Sequence, residues 1–418
     1  MIAKSVLKNG IRVISETMPH SHSVSIGIWI TNGSRHDRLE INGVTHFIEH
    51  LLFKGTHKRT ALDIAREIDS VGGVLNAFTC REYVCYYAKV LSDALPKAVS
   101  LLSDIFMNSL FDSSEIEKER KVVLQEIRML MDNPDNYIHD LFCRSFWKSH
   151  PLGMSVIGSE ESVSRLSRDI LLDTMRERFR AEEIIISAAG KVSHSDLVAL
   201  LNKFFTDVPE GRCEKDERLP THRKQIETTD KDLEQVHLCL GTRALPQNSP
   251  KRYAGYILNT ILGGSISSRL FQEVREERGL AYSVYSYVMS HSDAGTMVVY
   301  AGTKQDKLLE VIEIILQQLK QLKTVPVTDT EMEFAREHLK GNLLLSMEST
   351  DNRMTKLAKN EIYFGRQVTL PEIIAGLDCI SSRDLMELGD ELFCDDCLTL
   401  ELLGKPGNIS ITHSSISL

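Results

Sequence analysis

Gly43-Val44-Thr45-His46-Phe47-Ile48-Glu49-His50-Leu51-Leu52 decides how this chain is read. His46, Glu49 and His50 stand at spacings of three and four. Residues four apart project from one face of a helix, so His46 and His50 can aim ring nitrogens at one point. Glu49 lies beside them, close enough to reach a water at that point. Two neutral imidazoles suit Zn²⁺, and a neighbouring carboxylate can take the proton of a water. A histidine pair on an amphipathic helix is also an ordinary solvated face. A catalytic zinc takes a third protein ligand, so the rest of the chain has to offer one.

The segment from Ser113 to Met131 reads as one helix. Ser113 or Ser114 can cap it, and acids crowd its first turn. Ile116, Val122, Val123, Ile127 and Leu130 form an apolar stripe. Glu119 and Glu126 are seven apart and share a face two turns apart. Glu126 can complete a His-His-Glu set, with Glu119 behind it holding a ligand or a positive charge. The same spacing also fits two surface acids on a charged helix.

At 418 residues the chain exceeds what one core normally serves, so two domains are expected. An apolar content of 42% and a charged content of 26% are ordinary for a globular protein. The net charge of −9, with no Lys/Arg-rich run, argues against a nucleic-acid partner. No stretch approaches 18 apolar residues, so no membrane span is expected. Met1 to Gly10 has no apolar signal core, and a strand follows at Arg12 to Ser15, which leads to a cytoplasmic expectation. The eight cysteines are scattered and do not read as a disulfide framework. Cys394-Asp395-Asp396-Cys397 is a lone C-x-x-C whose role the sequence leaves open.

Residues 207–232 are polar, charged and poor in apolar residues, and read as a linker. They separate an N-terminal domain, 1–206, from a C-terminal domain, 233–418. One match holds register at an offset of 216: Glu115 with Glu331, Met131 with Met347, Asp135-Asn136 with Asp351-Asn352. Both segments read as a capped amphipathic helix and then a polar break, which suggests duplication. The chemistry is missing from the second copy, where Glu126 aligns with Asn342 and Glu119 with Ala335. No second His-x-x-Glu-His follows residue 232. Each half mixes β-branched and aromatic strands, such as Tyr83 to Val90 and Thr296 to Ala301, with long helices. The expected class is α+β: two homologous domains, each a mostly antiparallel sheet packed with helices.

His46-x-x-Glu49-His50 followed by Glu126 resembles the pitrilysin-type metallopeptidases, whose signature inverts the zincin pattern. Within them the chain is similar to the half-length branch that includes bacterial processing-protease-like proteins and the mitochondrial processing peptidase β subunit. Gly43 to Thr56, Gly72 to Thr79, Glu119 to Glu126 and Gly279 to Val284 all follow the family pattern. The resemblance runs over nearly the whole chain.

The resemblance implies His46, His50 and Glu126 as ligands of one Zn²⁺ per subunit, Glu49 as general base and Glu119 in support. It implies that Arg275 and Tyr282 hold the scissile carbonyl and its oxyanion. On residues alone, Arg275 fits a solvated charged helix and Tyr282 an aromatic strand. It implies that Asn76, Ala77, Phe78 and Thr79 form an exposed strand edge to which extended peptide adds. It also implies a homodimer in which each chain is half of a clamshell, with Arg275 and Tyr282 serving the partner's zinc. The activity it implies is endopeptidase cleavage of short unfolded peptides in the closed chamber. The alternative is a non-catalytic peptide-binding or partner subunit of a heteromeric processing protease. Such subunits typically lose part of the His-Glu-His set, which this chain keeps.

Overall fold

The computed structural model describes residues 1–214, 218–407 and 411–418, and divides into two compact units, each built round one sheet. The first sheet holds β1 (Ile2–Val6), β2 (Arg12–Thr17), β3 (Ser23–Ile30), β4 (Val74–Thr79), β5 (Val84–Leu91) and β6 (Ile184–Gly190), in the order β1-β2-β6-β3-β5-β4. Only β2 and β6 run parallel. The second holds β7 (Gln225–Thr229), β8 (Val236–Ala244), β9 (Ala281–Ser290), β10 (Gly295–Thr303) and β11 (Thr399–Leu403), in the order β7-β11-β8-β10-β9. Here only β7 and β11 are parallel. Without β1, the two sheets match strand for strand. The helices repeat with them: Ser113–Asp132 and Asp329–Ser346 begin 216 residues apart, as do Pro134–Phe146 and Thr350–Phe364. The α+β class and the duplication therefore extend over both sheets.

The compact units do not follow the two halves of the chain. The first gathers Met1–Met129, Met154–Glu217 and Leu345–Gln367; the second gathers Leu130–Gly153, Arg218–Leu344 and Val368–Leu418. Each half thus lends the other a helix, a departure from the sequential division at 206 and 233. The helix Pro134–Phe146 packs Ile138, Leu141, Phe142 and Phe146 against Cys239, Val298, Tyr300 and Leu403 of the second sheet. The helix Thr350–Phe364 packs Met354, Leu357 and Ala358 against Ile14, Trp29, Cys85 and Ile185 of the first. Each sheet is covered on its other face by a larger core from its own unit. Burial on both faces explains why β6 and β10 are buried at every position and show no polar alternation.

Gly27 on β3 faces the borrowed helix. A Cβ there would lie 2.5 Å from Met354 Sδ and 2.8 Å from Trp29 Nε1. Gly27→Val is expected to destabilise the first unit by about 1–3 kcal/mol through overpacking. The check is a lowered midpoint in denaturant unfolding.

The segment expected as a linker is partly built into the fold. Gln225–Thr229 forms β7, pairing parallel with β11; its residues 215–217 lie outside the described residues. Ile2–Val6, which precedes the first expected strand, pairs with β2 as a further edge strand. Cys394 precedes a single 3₁₀ turn and Cys397 ends it, both as free thiols. Among the described residues no helix is long and apolar enough to cross a membrane.

Candidate metal centre

The helix Val44–Leu52 turns Val44, Thr45, Phe47, Ile48, Leu51 and Leu52 into the core. His46, Glu49 and His50 occupy the remaining face and are half-buried. The apolar positions thus leave one polar stripe at i, i+3, i+4.

The helix Ser113–Asp132 supplies the acids. Its N-terminus is capped by Asp112, whose carboxylate accepts the Ser114 amide at 2.8 Å, and not by Ser113 or Ser114, which lie inside the first turn. Ile116, Glu119, Val123 and Ile127 are buried, whereas Val122 of the expected stripe is exposed. Position 122 falls beside that face and not on it.

The two helices bring three donors together. Glu126 Oε2 is 3.5 Å from His50 Nε2 and 3.9 Å from His46 Nε2. One ligand atom each of His46, His50 and Glu126 lies within 4.8 Å of the others, and this is the one such group among the described residues. In a tetrahedral zinc site with bonds of about 2.0–2.1 Å, neighbouring donors stand roughly 3.3 Å apart. The donors therefore fit zinc in kind and number, and stand somewhat wider apart than that separation; a zinc held by these three would keep a fourth position for water. Burial lowers the His46 pKa to about 3, so its imidazole is neutral at pH 7, the form a metal needs.

Glu119 is buried and touches both a histidine and a cation. Its Oε2 is 3.1 Å from His50 Nδ1, and its Oε1 pairs with Lys54 Nζ at 2.7 Å. A bond at Nδ1 fixes the tautomer that leaves His50 Nε2 free to ligate. Lys54 went unread in the sequence because it lies past the end of its helix at Leu52, although it continues the four-residue spacing of His46 and His50. Glu119→Gln is expected to weaken zinc affinity about 10–100-fold while the protein stays folded. Competition with a chelator measures it.

Glu49 accepts a hydrogen bond from the Thr79 hydroxyl. Burial pushes its carboxyl above the ordinary range, and the Thr79 bond opposes that shift. Thr79 ends β4, which is the outer strand of its sheet. Asn76 and Ala77 lie on this edge, and Phe78 packs against Trp29, Tyr83 and Tyr87. Thr79 thus meets the candidate base directly, a contact that no local spacing announces.

Arg275 and Tyr282 meet each other in the second unit. Arg275 sits in a π-helical turn, Phe271–Glu277, and its guanidinium lies 4.7 Å from the centre of the Tyr282 ring and 4.8 Å from that of Phe271. Tyr282 is on β9 and is 79% exposed, so it is not the core aromatic its strand context allowed. The second unit holds no counterpart of the metal cluster among the described residues. Asn342, at the repeat position of Glu126, lies 3.0 Å from His338 Nε2, and Ala335, at that of Glu119, is buried.

Residues 12–160 match the insulinase (peptidase family M16) model, and residues 165–339 match that of the peptidase M16 inactive domain. An uncharacterized zinc protease, YmxG, of Bacillus subtilis is 41% identical over 98% of this chain and 100% of its own length. The chain belongs to peptidase family M16. An uncharacterized zinc protease of Mycobacterium tuberculosis is 38% identical over 91% of the chain and 88% of its own length. Two solved structures share the M16 fold. A peptidase M16 inactive domain from Pseudomonas fluorescens gives a TM-score of 0.91 at 18% identity, covering 98% of this chain and 99% of that one. A protease from Helicobacter pylori gives 0.89 at 22% identity, covering 97% and 100%. One of these two is described as inactive, so the M16 fold does not by itself decide activity; the site residues have to.

Proposed function

We propose that this M16 protein is a zinc endopeptidase that cuts short unfolded peptides inside a chamber closed by a homodimer. The observation that carries the reading is the convergence of His46, His50 and Glu126 with Glu49 beside them. Those four residues would hold and serve one zinc per subunit. When bound, zinc supplies Lewis acidity to a peptide carbonyl and to water. Glu49 takes the proton of the attacking water and passes it to the departing amine. Glu119 and Lys54 keep His50 in its ligating tautomer.

An extended substrate adds to the outer edge of β4 along Asn76 to Thr79, so backbone hydrogen bonds hold it whatever its side chains. Arg275 and Tyr282, already stacked on each other, supply a cation and a phenol O–H to the scissile carbonyl and its developing oxyanion. In this reading they act across the subunit interface, on the zinc site of the partner. The reading as a non-catalytic partner subunit is disfavoured because ligands and base are all retained.

The shared site makes a mixing test possible. Glu49→Gln and Arg275→Ala should each be inactive alone. After subunit exchange, half the dimers are mixed and each has one complete site of two, so about a quarter of wild-type activity should return. No recovery, with exchange verified, would place Arg275 in the same subunit's site, and activity of Arg275→Ala alone would place it outside the chemistry.

A further inference from the structure

The helix that carries both histidines begins without a capping side chain of its own. Its N-cap, Gly43, has φ of 89° and is packed so closely that a Cβ would lie 2.7 Å from Ile157 O and 2.8 Å from Gly158 Cα. The free amides of a first turn need acceptors all the same. Asp37, six residues upstream, provides one. Its Oδ2 is 3.0 Å from the Gly43 amide and 3.5 Å from the Thr45 amide. Its Oδ1 accepts the Thr45 hydroxyl at 2.5 Å and Arg178 Nη1 at 2.7 Å. Arg178 Nη1 is also 2.6 Å from Thr45 Oγ1, and its Nη2 donates to the His36 carbonyl at 2.6 Å. The Asp37 side chain is fully buried and that of Arg178 nearly so.

The two zinc-site histidines differ in what holds their rings. His50 is held at Nδ1 by Glu119. His46 Nδ1 is buried and has no hydrogen-bond partner among the described residues. The aim of His46 therefore depends on where the first turn of its helix lies and how that turn is rotated. Residue 45, one step before it, is the residue that Asp37 and Arg178 grip. Ligand geometry tolerates errors of only about 0.5 Å or 10–20°, and each residue sits about 100° round the helix from the last. A small roll of the first turn would take His46 Nε2 off the metal.

We propose that Asp37, Arg178 and Thr45 form a positioning clamp that sets the aim of His46. None of the three would touch metal or substrate. The inference rests on the metal-site reading above.

The test is Co²⁺ affinity by competition with a chelator, together with the visible spectrum of the Co²⁺ form. The thermal midpoint of metal-free protein is measured beside them. Thr45→Val removes the hydroxyl and leaves the buried ion pair, whereas Thr45→Ser restores the hydroxyl. The structural control is Glu361→Gln, which breaks a different buried carboxylate held by Lys4 at 2.8 Å and Arg12 at 3.4 Å, away from the histidine helix. Thr45→Val should weaken Co²⁺ binding about tenfold or more and change the spectrum. Thr45→Ser should stay within about twofold of wild type, and the control should lose thermal stability with metal affinity unchanged. Wild-type affinity and spectrum in Thr45→Val would overturn the clamp and leave the metal site standing. A wild-type protein that binds no Co²⁺ would overturn the metal-site reading and the clamp with it.

Discussion

Glu49→Gln is expected to keep its zinc, keep its fold and lose peptide cleavage by about 10²–10⁴-fold, the range a positioned general base contributes. Glu49 shares the stripe of His46 and His50 but is not one of the three residues whose donors converge. Removing its charge therefore leaves both imidazoles and Glu126 in place. The amide of Gln can still accept the Thr79 hydroxyl, so the end of β4 and the helix Val44–Leu52 stay joined. What it cannot do is take a proton. The decisive pairing is zinc content and turnover measured on one preparation. A variant that cuts at the wild-type rate would remove Glu49 from the chemistry.

Glu126→Ala is expected to fail at an earlier stage, by losing the metal. Two imidazoles on one helix turn are short of the three protein ligands that a catalytic zinc takes. The Glu126 side chain is 39% exposed, so truncation opens no core cavity, and the metal-free fold should survive. The expected result is zinc content near zero after dialysis, no detectable cleavage and an unfolding midpoint close to that of metal-free wild type. The comparison with Glu119→Gln separates a ligand from its support. The first should abolish binding, and the second should weaken it while leaving all three ligands. If Glu126→Ala retained full zinc occupancy, another group would be the third ligand.

Both predictions rest on residues whose shared faces are visible in the sequence alone. His46, Glu49 and His50 are legible because helix periodicity puts them on one face. Glu119 and Glu126 are legible for the same reason, and their absence at Ala335 and Asn342 marks the silent repeat. What escapes a local reading is set by contacts distant in sequence. Lys54 reaches Glu119 and Thr79 reaches Glu49 only once helices and strands are packed. Asp37 caps a helix that starts seven residues later, where a cap is sought next to the first turn.

The exchanged helices are hidden for a related reason. Pro134–Phe146 and Thr350–Phe364 each have an apolar face, but nothing in either segment says which sheet it will cover. Gln225–Thr229 reads as linker because it is polar, and it becomes a strand by pairing with β11 at the edge of its sheet.

The central claim is that one zinc, held by His46, His50 and Glu126, serves peptide hydrolysis. The most direct measurement is zinc per chain in the purified protein, taken beside its cleavage of a quenched peptide library before chelation, after chelation and after zinc is returned. About one zinc per chain is predicted, with cleavage that disappears on chelation and returns with zinc. Cleavage that survives removal of the metal would contradict the account, as would full zinc occupancy with no peptide in the library cut.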